Sequence, residues 1–265
     1  MMAPAALRTR DTGGVFTDAD VVRAYRHRPP YPPELPARLA ALAAGRARAV
    51  DLGSGPGKIA IPLADHFSEV LAVDSSPPMI AQGRVDDAGR HANIRWIERA
   101  AEHLPLPACD LAVAAASVHW LDPAIVFPAL KTVLGANGVL AIVDGDSPFE
   151  ASFEAGYMAL ITSWVERLGD VAEGAKVRAH VTAHEAWLDV HGHETLRGFH
   201  RQSVGAFIES EHSRAAWARS RMGEARAAEF DADLRRLLTP HARLGFLEFT
   251  VQTTLTWGRP RARPR

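Results

Sequence analysis

Residues 50–57 read VDLGSGPG, and what stands on either side of them decides the fold. A short apolar run, 48–52 (RAVDL), leads into the three glycines Gly53, Gly55 and Gly57, as a buried parallel strand would. Glycine is required where a chain turns with positive φ and where a ligand must lie against bare backbone. The spacing is G-x-G-x-G, distinct from the G-x-G-x-x-G dinucleotide fingerprint, and the loop stands between a strand and a helix-like stretch, 57–67. Amides at the start of that helix would face a ligand. A plain structural turn is the alternative.

Outward from the loop, strand and helix alternate. Strands are expected at 69–74 (EVLAVD), 94–97 (IRWI), 110–116 (DLAVAAA) and 139–143 (VLAIV), with helices at about 78–89 and 123–134 between them. Five alternations imply a doubly wound α/β fold whose mainly parallel sheet is covered on both faces. Beyond Asp144 the alternation stops. Residues 149–170 and 205–239 read as helix, with Trp164 and Trp217 at apolar positions, and 194–204 as a strand. The alternating stretch 245–257 reads as an antiparallel C-terminal strand. One domain over 15–258 is expected, with a disordered tail at 1–14, a helical insertion after the fifth strand at 146–193 and a solvated tail at 259–265. Pockets gather over strand ends, so the insertion would form part of a substrate wall.

The 265 residues are 47% hydrophobic and 23% charged, ordinary for a globular protein with a sizeable core. Only Lys58, Lys131 and Lys176 are lysines, the other bases being arginine, and the formal net charge is -1. That balance argues against a dedicated nucleic-acid binder. A single cysteine, Cys109, excludes an intrachain disulfide framework and a cysteine-cluster metal site. No apolar run reaches the ~18–20 residues of a membrane helix, and the first residues have no signal-peptide core. The expectation is a cytoplasmic protein, monomer or homodimer, with a small-molecule partner and neither nucleic acid nor membrane. His191 and His193 lack a partner at helical spacing, so no metal is expected.

Asp74 ends the second strand, 23 residues after Asp51. An acid there either accepts hydrogen bonds from two ribose hydroxyls or caps the helix that begins after Ser75, Ser76 and a proline pair.

VDLGSGPG, then LAVDSSPPMI (71–80), then AEHLPLP (101–107), resembles the class I S-adenosylmethionine-dependent methyltransferases over about residues 15–145. RHRPPYPPEL (26–35) resembles the Arg-Pro-x-Tyr-Pro segment of small-molecule members, and SVHWLD (117–122) the segment after the fourth strand in trans-aconitate methyltransferase-like enzymes. The resemblance implies S-adenosyl-L-methionine as cofactor. It implies that Gly53, Ser54 and Gly55 run beside the methionine part, that Asp51 organises the loop, and that Asp74 holds the ribose with Ser75 and Met79 beside the adenosine. Ala101 and Glu102 fall where the family lines its adenine pocket, although Ala100 stands where the family often has Asp. Ser117 joins the cofactor set, as do Tyr25 and Arg28 from a lid segment, 15–40. Tyr31, His119 and Trp120 fall on the substrate side.

Methyl transfer from a sulfonium is an in-line displacement that gains most from alignment, which can be worth about 7–11 kcal/mol. A base is needed only when the nucleophile arrives protonated. His119, after the fourth strand, is the candidate base, or else it lines the pocket. Arg28 either clamps a carboxylate or is a surface charge. The expected function is methyl transfer to a small acceptor, a carboxylate or another O or N nucleophile. The alternatives are cyclisation or transfer of another sulfonium substituent on the same cofactor, a nicotinamide-dependent oxidoreductase, and a non-catalytic binding module.

Overall fold

The computed structural model describes residues 13–103, 105–169 and 184–265. Five strands, β1 (Arg48–Leu52), β2 (Glu69–Asp74), β3 (Ile94–Glu98), β4 (Leu111–Ala115) and β5 (Val139–Asp144), pair in parallel in the order β3-β2-β1-β4-β5. The order reverses between β1 and β4, and the crevice beyond the carboxyl ends of those strands is where doubly wound sheets bind ligands. Strand β8 (Phe246–Pro260) lies antiparallel beside β5, pairing Asp144 with Thr254. On its other side β8 pairs antiparallel with β7 (Leu188–Ser203) along nearly its whole length, while the two-residue β6 (Pro148–Phe149) meets it on the β5 side, at Val251 and Thr250. The doubly wound sheet with an antiparallel C-terminal strand is as the sequence implied.

Period-two burial explains why both faces are covered. Val50, Leu52, Leu71, Val73, Ala112, Ala114, Leu140 and Ile142 face one way, onto Val126, Phe127, Leu130 and Leu134 of a helix at Pro123–Leu134. Ala49, Val70, Ala72, Leu111, Val113, Ala141 and Val143 face the other way. There they meet α2 (Leu35–Leu42), which follows α1 (Ala19–Tyr25), and the one-turn α3 (Ala60–Leu63). The next helices are α4 (Pro77–Asp87) and α5, the Pro123–Leu134 helix just described. Each has an N-cap side chain: the Ser76 hydroxyl accepts from the Met79 amide and Asp122 accepts from the Ala124 amide.

Four expectations are corrected. The helix placed at 57–67 is only α3, because Gly57 holds φ +83 and Pro62 cannot donate a backbone hydrogen bond. The insertion is helical at α6 (Glu154–Leu168), but its last residues, from Leu188, already belong to β7. The intervening 170–183 lie outside the described residues. A bulge between Val190 and Gly192 hides the strand pattern there, and only glycine fits against Trp257 at position 192. Of the tail expected at 1–14, Gly13 and Gly14 open a 3-10 turn, and the rest lies outside the described residues. The C-terminal residues are tied down: the Arg261 and Arg265 amides donate to the Trp187 and Ala186 carbonyls, and both guanidinium groups pair with Asp189.

A second core sits beyond the strand ends. Helix α6, α7 (Val204–His212), α8 (Arg219–Met222) and α9 (Glu224–Leu238) close around Trp164, Trp217, Phe230 and Phe207, together with Phe249 of β8. Trp217 stacks on Phe230 with ring centroids 5.1 Å apart. The N-terminal turn and α1 bury Val15, Val21 and Val22 against Met79, Ala215 and Ala218, so that this segment bridges the sheet and the helical cap.

Candidate functional site

A cavity of about 430 Å³ opens at the carboxyl ends of β1, β2, β4 and β5, between the sheet, the N-terminal segment and the helical cap. On its sheet side stand Gly53, Gly55, Asp74, Ser75, Met79, the Arg99–Glu102 stretch, Ser117, His119 and Trp120. Phe16, Tyr25 and Arg28 close it from the N-terminal segment. Asp51, Ser54 and Tyr31 were expected at the site but fall outside this wall.

The glycine loop is folded by its own hydrogen bonds. The amides of Gly53 and Ser54 both donate to the Val73 carbonyl, at 2.8 and 2.9 Å. The Gly55 amide donates to Asp74 Oδ2 at 2.7 Å, while Asp74 Oδ1 accepts from the Ser76 amide at 2.8 Å. These amides are therefore spent on holding β1 to β2, and the one-turn α3 presents no extended helix terminus to a ligand. Gly53 holds φ +67, and a Cβ there would stand 2.6 Å from the Ser117 Cβ. Its missing side chain makes room for Ser117, whose hydroxyl donates to the Leu52 carbonyl at 2.5 Å. Gly55, at φ +53, faces the Tyr25 hydroxyl, 3.7 Å from where its Cβ would be.

Asp74 is not the cap of α4, since Ser76 fills that role. It braces the loop from the cavity wall. Burial pushes its carboxyl up, against the two amides that favour its ionised form. Asp51 lies behind the loop and is fully buried. Its Oδ2 accepts from the Ala60 amide at 3.1 Å, and Oδ1 has no hydrogen-bond partner among the described residues. Burial raises its pKa to about 7. Glu102 accepts the Asp122 amide through Oε1 at 2.9 Å, tying the expected adenine side to the start of α5. Ala100 lines the cavity with no side-chain acceptor. His119 and Trp120 form one wall, their rings 4.7 Å apart, and Phe16 packs edge-on against Trp120.

The opposite end holds residues that sequence reasoning missed: Asp146, Ser147, Tyr157, Glu211 and Arg214. Asp146 is the hub. Its Oδ1 accepts from Arg214 Nη1 at 2.9 Å, and its Oδ2 lies 3.6 Å from Arg28 Nη1. Those two guanidinium groups hold its carboxyl well below the usual carboxylate range despite burial. Arg28 also donates to the Ser213 hydroxyl and carbonyl, at 2.7 and 3.0 Å, and its guanidinium lies 4.4 Å over the Tyr25 ring. Arg28 is thus neither a surface charge nor a free clamp. Arg214 Nε donates to Glu211 Oε1 at 3.3 Å. Lys58, behind this cluster, donates to the Arg28 and Pro29 carbonyls, and burial lowers its pKa to about 7. No local signal marks these residues, which come from a β5 loop, α6 and the end of α7.

Five acids line the cavity, Asp74, Glu102, Asp144, Asp146 and Glu211, against three arginines, Arg28, Arg99 and Arg214. The wall suits a cationic ligand. Among the described residues no cluster of three or more His, Cys, Asp or Glu could hold a metal, and no helix is long and apolar enough to cross a membrane. His193 instead pairs with the Thr256 hydroxyl at 2.9 Å.

Residues 50–142 match the methyltransferase domain family model. The chain is 33% identical over 175 residues to an uncharacterised methyltransferase of Mycobacterium tuberculosis, covering 64% of each chain. It is 31% identical over 170 residues to the trans-aconitate 2-methyltransferase of Streptomyces coelicolor, covering 60% of this chain and 55% of that one. A solved structure from Anaeromyxobacter dehalogenans, assigned provisionally to the type II methyltransferases, superposes with TM-score 0.68 at 26% identity, over 89% of this chain and 99% of that one. The chain spans about 64% of the length of the first curated relatives it matches.

Proposed function

We propose that the chain, which matches the methyltransferase domain family model over residues 50–142, is a class I S-adenosylmethionine-dependent methyltransferase that transfers a methyl group from S-adenosylmethionine to a small-molecule nucleophile. The observation that carries this reading is Asp74, whose carboxylate faces the cavity from the tip of β2 and holds the glycine loop in place. Each of its oxygens accepts one backbone amide, so each keeps a lone pair for a ribose hydroxyl. The residues present fit the cofactor. The bare Gly55 backbone lies open towards Tyr25, and the acidic wall matches the positive charge that a sulfonium and an ammonium bring.

When bound, the cofactor supplies a methyl group on a positively charged sulfur. The chain supplies position and dryness. Asp74, Ser75 and Met79 would hold the nucleoside, while Arg99–Glu102 would border the base through backbone and apolar contacts, in place of an Asp at Ala100. Gly53, Gly55 and Ser117 would border the methionine part, with Tyr25 and Arg28 covering it. Asp51 and Ser54 act from behind, by fixing the loop. His119 and Trp120 stand where an acceptor would pass. His119 either orients that acceptor or takes its proton. Reaction with methyl-labelled cofactor, followed by mass spectrometry of the small-molecule fraction, tests the reading: a product carrying the labelled methyl carbon supports it, and cofactor breakdown products alone would contradict it.

A further inference from the structure

Glu211 is 1% exposed and its carboxylate lines the cavity beside the Tyr157 hydroxyl, yet its Oε2 is within hydrogen-bond distance of no donor among the described residues. Leaving such an oxygen buried is costly, and an acceptor of this kind in a ligand cavity calls for a donor from the ligand. Along α6 the same end of the cavity presents Met158, Ile161, Thr162 and Val165, one helical stripe that is mostly apolar. Met158 is 48% exposed, a large apolar side chain left uncovered beside the opening. Neither arginine here is a carboxylate clamp. Arg28 is spent on Ser213 and Asp146, and Arg214 on Asp146 and Glu211.

We propose that Glu211 selects the acceptor, a neutral or cationic small molecule that donates an O–H or N–H to Glu211 Oε2 and lays an apolar body against Met158, Ile161 and Val165. A carboxylate acceptor is disfavoured, because it would bring a second negative charge and no donor to this oxygen. The inference rests on the methyltransferase reading and narrows its substrate. In the transfer, the acceptor's proton passes to Glu211, before attack for an ammonium and with it for a hydroxyl; the lone pair of the oxygen or nitrogen forms the bond to the methyl carbon, and the carbon–sulfur bond breaks with its pair returning to sulfur.

The test uses the full chain loaded with S-adenosylhomocysteine, whose binding is first established by calorimetry; failure at that step would sink the methyltransferase reading itself. Benzyl alcohol, phenol and benzylamine are then compared with benzoate and phenylacetate, by thermal stabilisation of the loaded chain and by methylation with S-adenosylmethionine. The alcohols or the amine should bind and react at least about tenfold better than the carboxylates. Glu211→Gln, which keeps the shape but cannot take up a proton, should raise the KM of the accepted molecule about tenfold or more and lower its turnover, while S-adenosylhomocysteine affinity changes less than about threefold. Preference for the carboxylates, acceptance of none of the alcohols and amines, or an unchanged KM in a folded Glu211→Gln protein overturns the proposal. The comparison of the five probes needs no variant, so it stands even where the substitution unfolds the chain.

Discussion

Two carboxylates on neighbouring strands, Asp51 buried and Asp74 half-buried, do different work. Asp74 braces Gly55 and Ser76 from the cavity side, so Asp74→Ala should weaken S-adenosylmethionine binding at least about tenfold, because charge-assisted hydrogen bonds worth about 1.5–3 kcal/mol each are lost with the loop geometry. Calorimetric titration checks this; wild-type affinity in the folded variant would remove Asp74 from the ligand set. Asp51 instead reports on folding. Its folded pKa of about 7 lies above the ~3.9 of an unfolded chain. Between those values the unfolded state gives up its proton first, so stability falls as pH rises from about 4 to about 7 and is flat above. Asp51→Asn should remove that slope, and the variant should gain on the wild type by on the order of 4 kcal/mol across the window. Denaturation at pH 4 and pH 8 measures it, and parallel curves would be the contrary result. His119→Gln separates a base from a wall. A drop in turnover of ~10²–10⁴ with the ascending pH limb lost marks a base, whereas a raised acceptor KM marks a wall. We expect the wall, since His119 packs its ring on Trp120 at the cavity's side.

At the scale of elements, the glycine loop carries the sharpest structural expectation. Gly53→Val places a branched side chain at φ +67, on top of the Ser117 Cβ, so the damage falls on the β1–β4 junction before any ligand arrives. It should lower stability by about 3 kcal/mol or more, while Gly55→Ala, which meets only the Tyr25 ring edge and hydroxyl at 3.7 Å or beyond, should cost about 1 kcal/mol. Equal melting temperatures for the two variants would contradict this geometry. The strands that flank the loop were legible because burial on both faces leaves runs such as RAVDL and EVLAVD without alternation. Helix α3 was overread, since Ile59–Leu63 looks apolar enough for a longer helix while Gly57 and Pro62 confine it. Strand β7 was partly missed. It pairs with β8 along one edge and carries mostly exposed polar side chains, so only its backbone marks it as a strand.

Across the whole molecule, the cavity joins two regions that sequence reveals unequally. The proposed cofactor side comes from contiguous motifs after β1, β2 and β4, and the residues expected there mostly line one wall. The proposed acceptor side is assembled from Asp146, Tyr157, Glu211 and Arg214, which are far apart in the chain and meet only because the helical cap folds back over the sheet. A buried ion-pair hub such as Asp146 between Arg28 and Arg214 has no local spelling. The hub also links the N-terminal segment to the cap, as Tyr25 links it to the glycine loop. Ligand binding should therefore stabilise the whole chain and not one lobe of it. The most direct measurement is calorimetric titration of the full chain with S-adenosylmethionine and, separately, with NAD and NADP. The account expects saturable one-to-one binding of S-adenosylmethionine, displaced by S-adenosylhomocysteine and weakened at least about tenfold by Asp74→Ala, with no heat from either nicotinamide. Absence of S-adenosylmethionine binding, or saturable binding of a nicotinamide cofactor in its place, would contradict it.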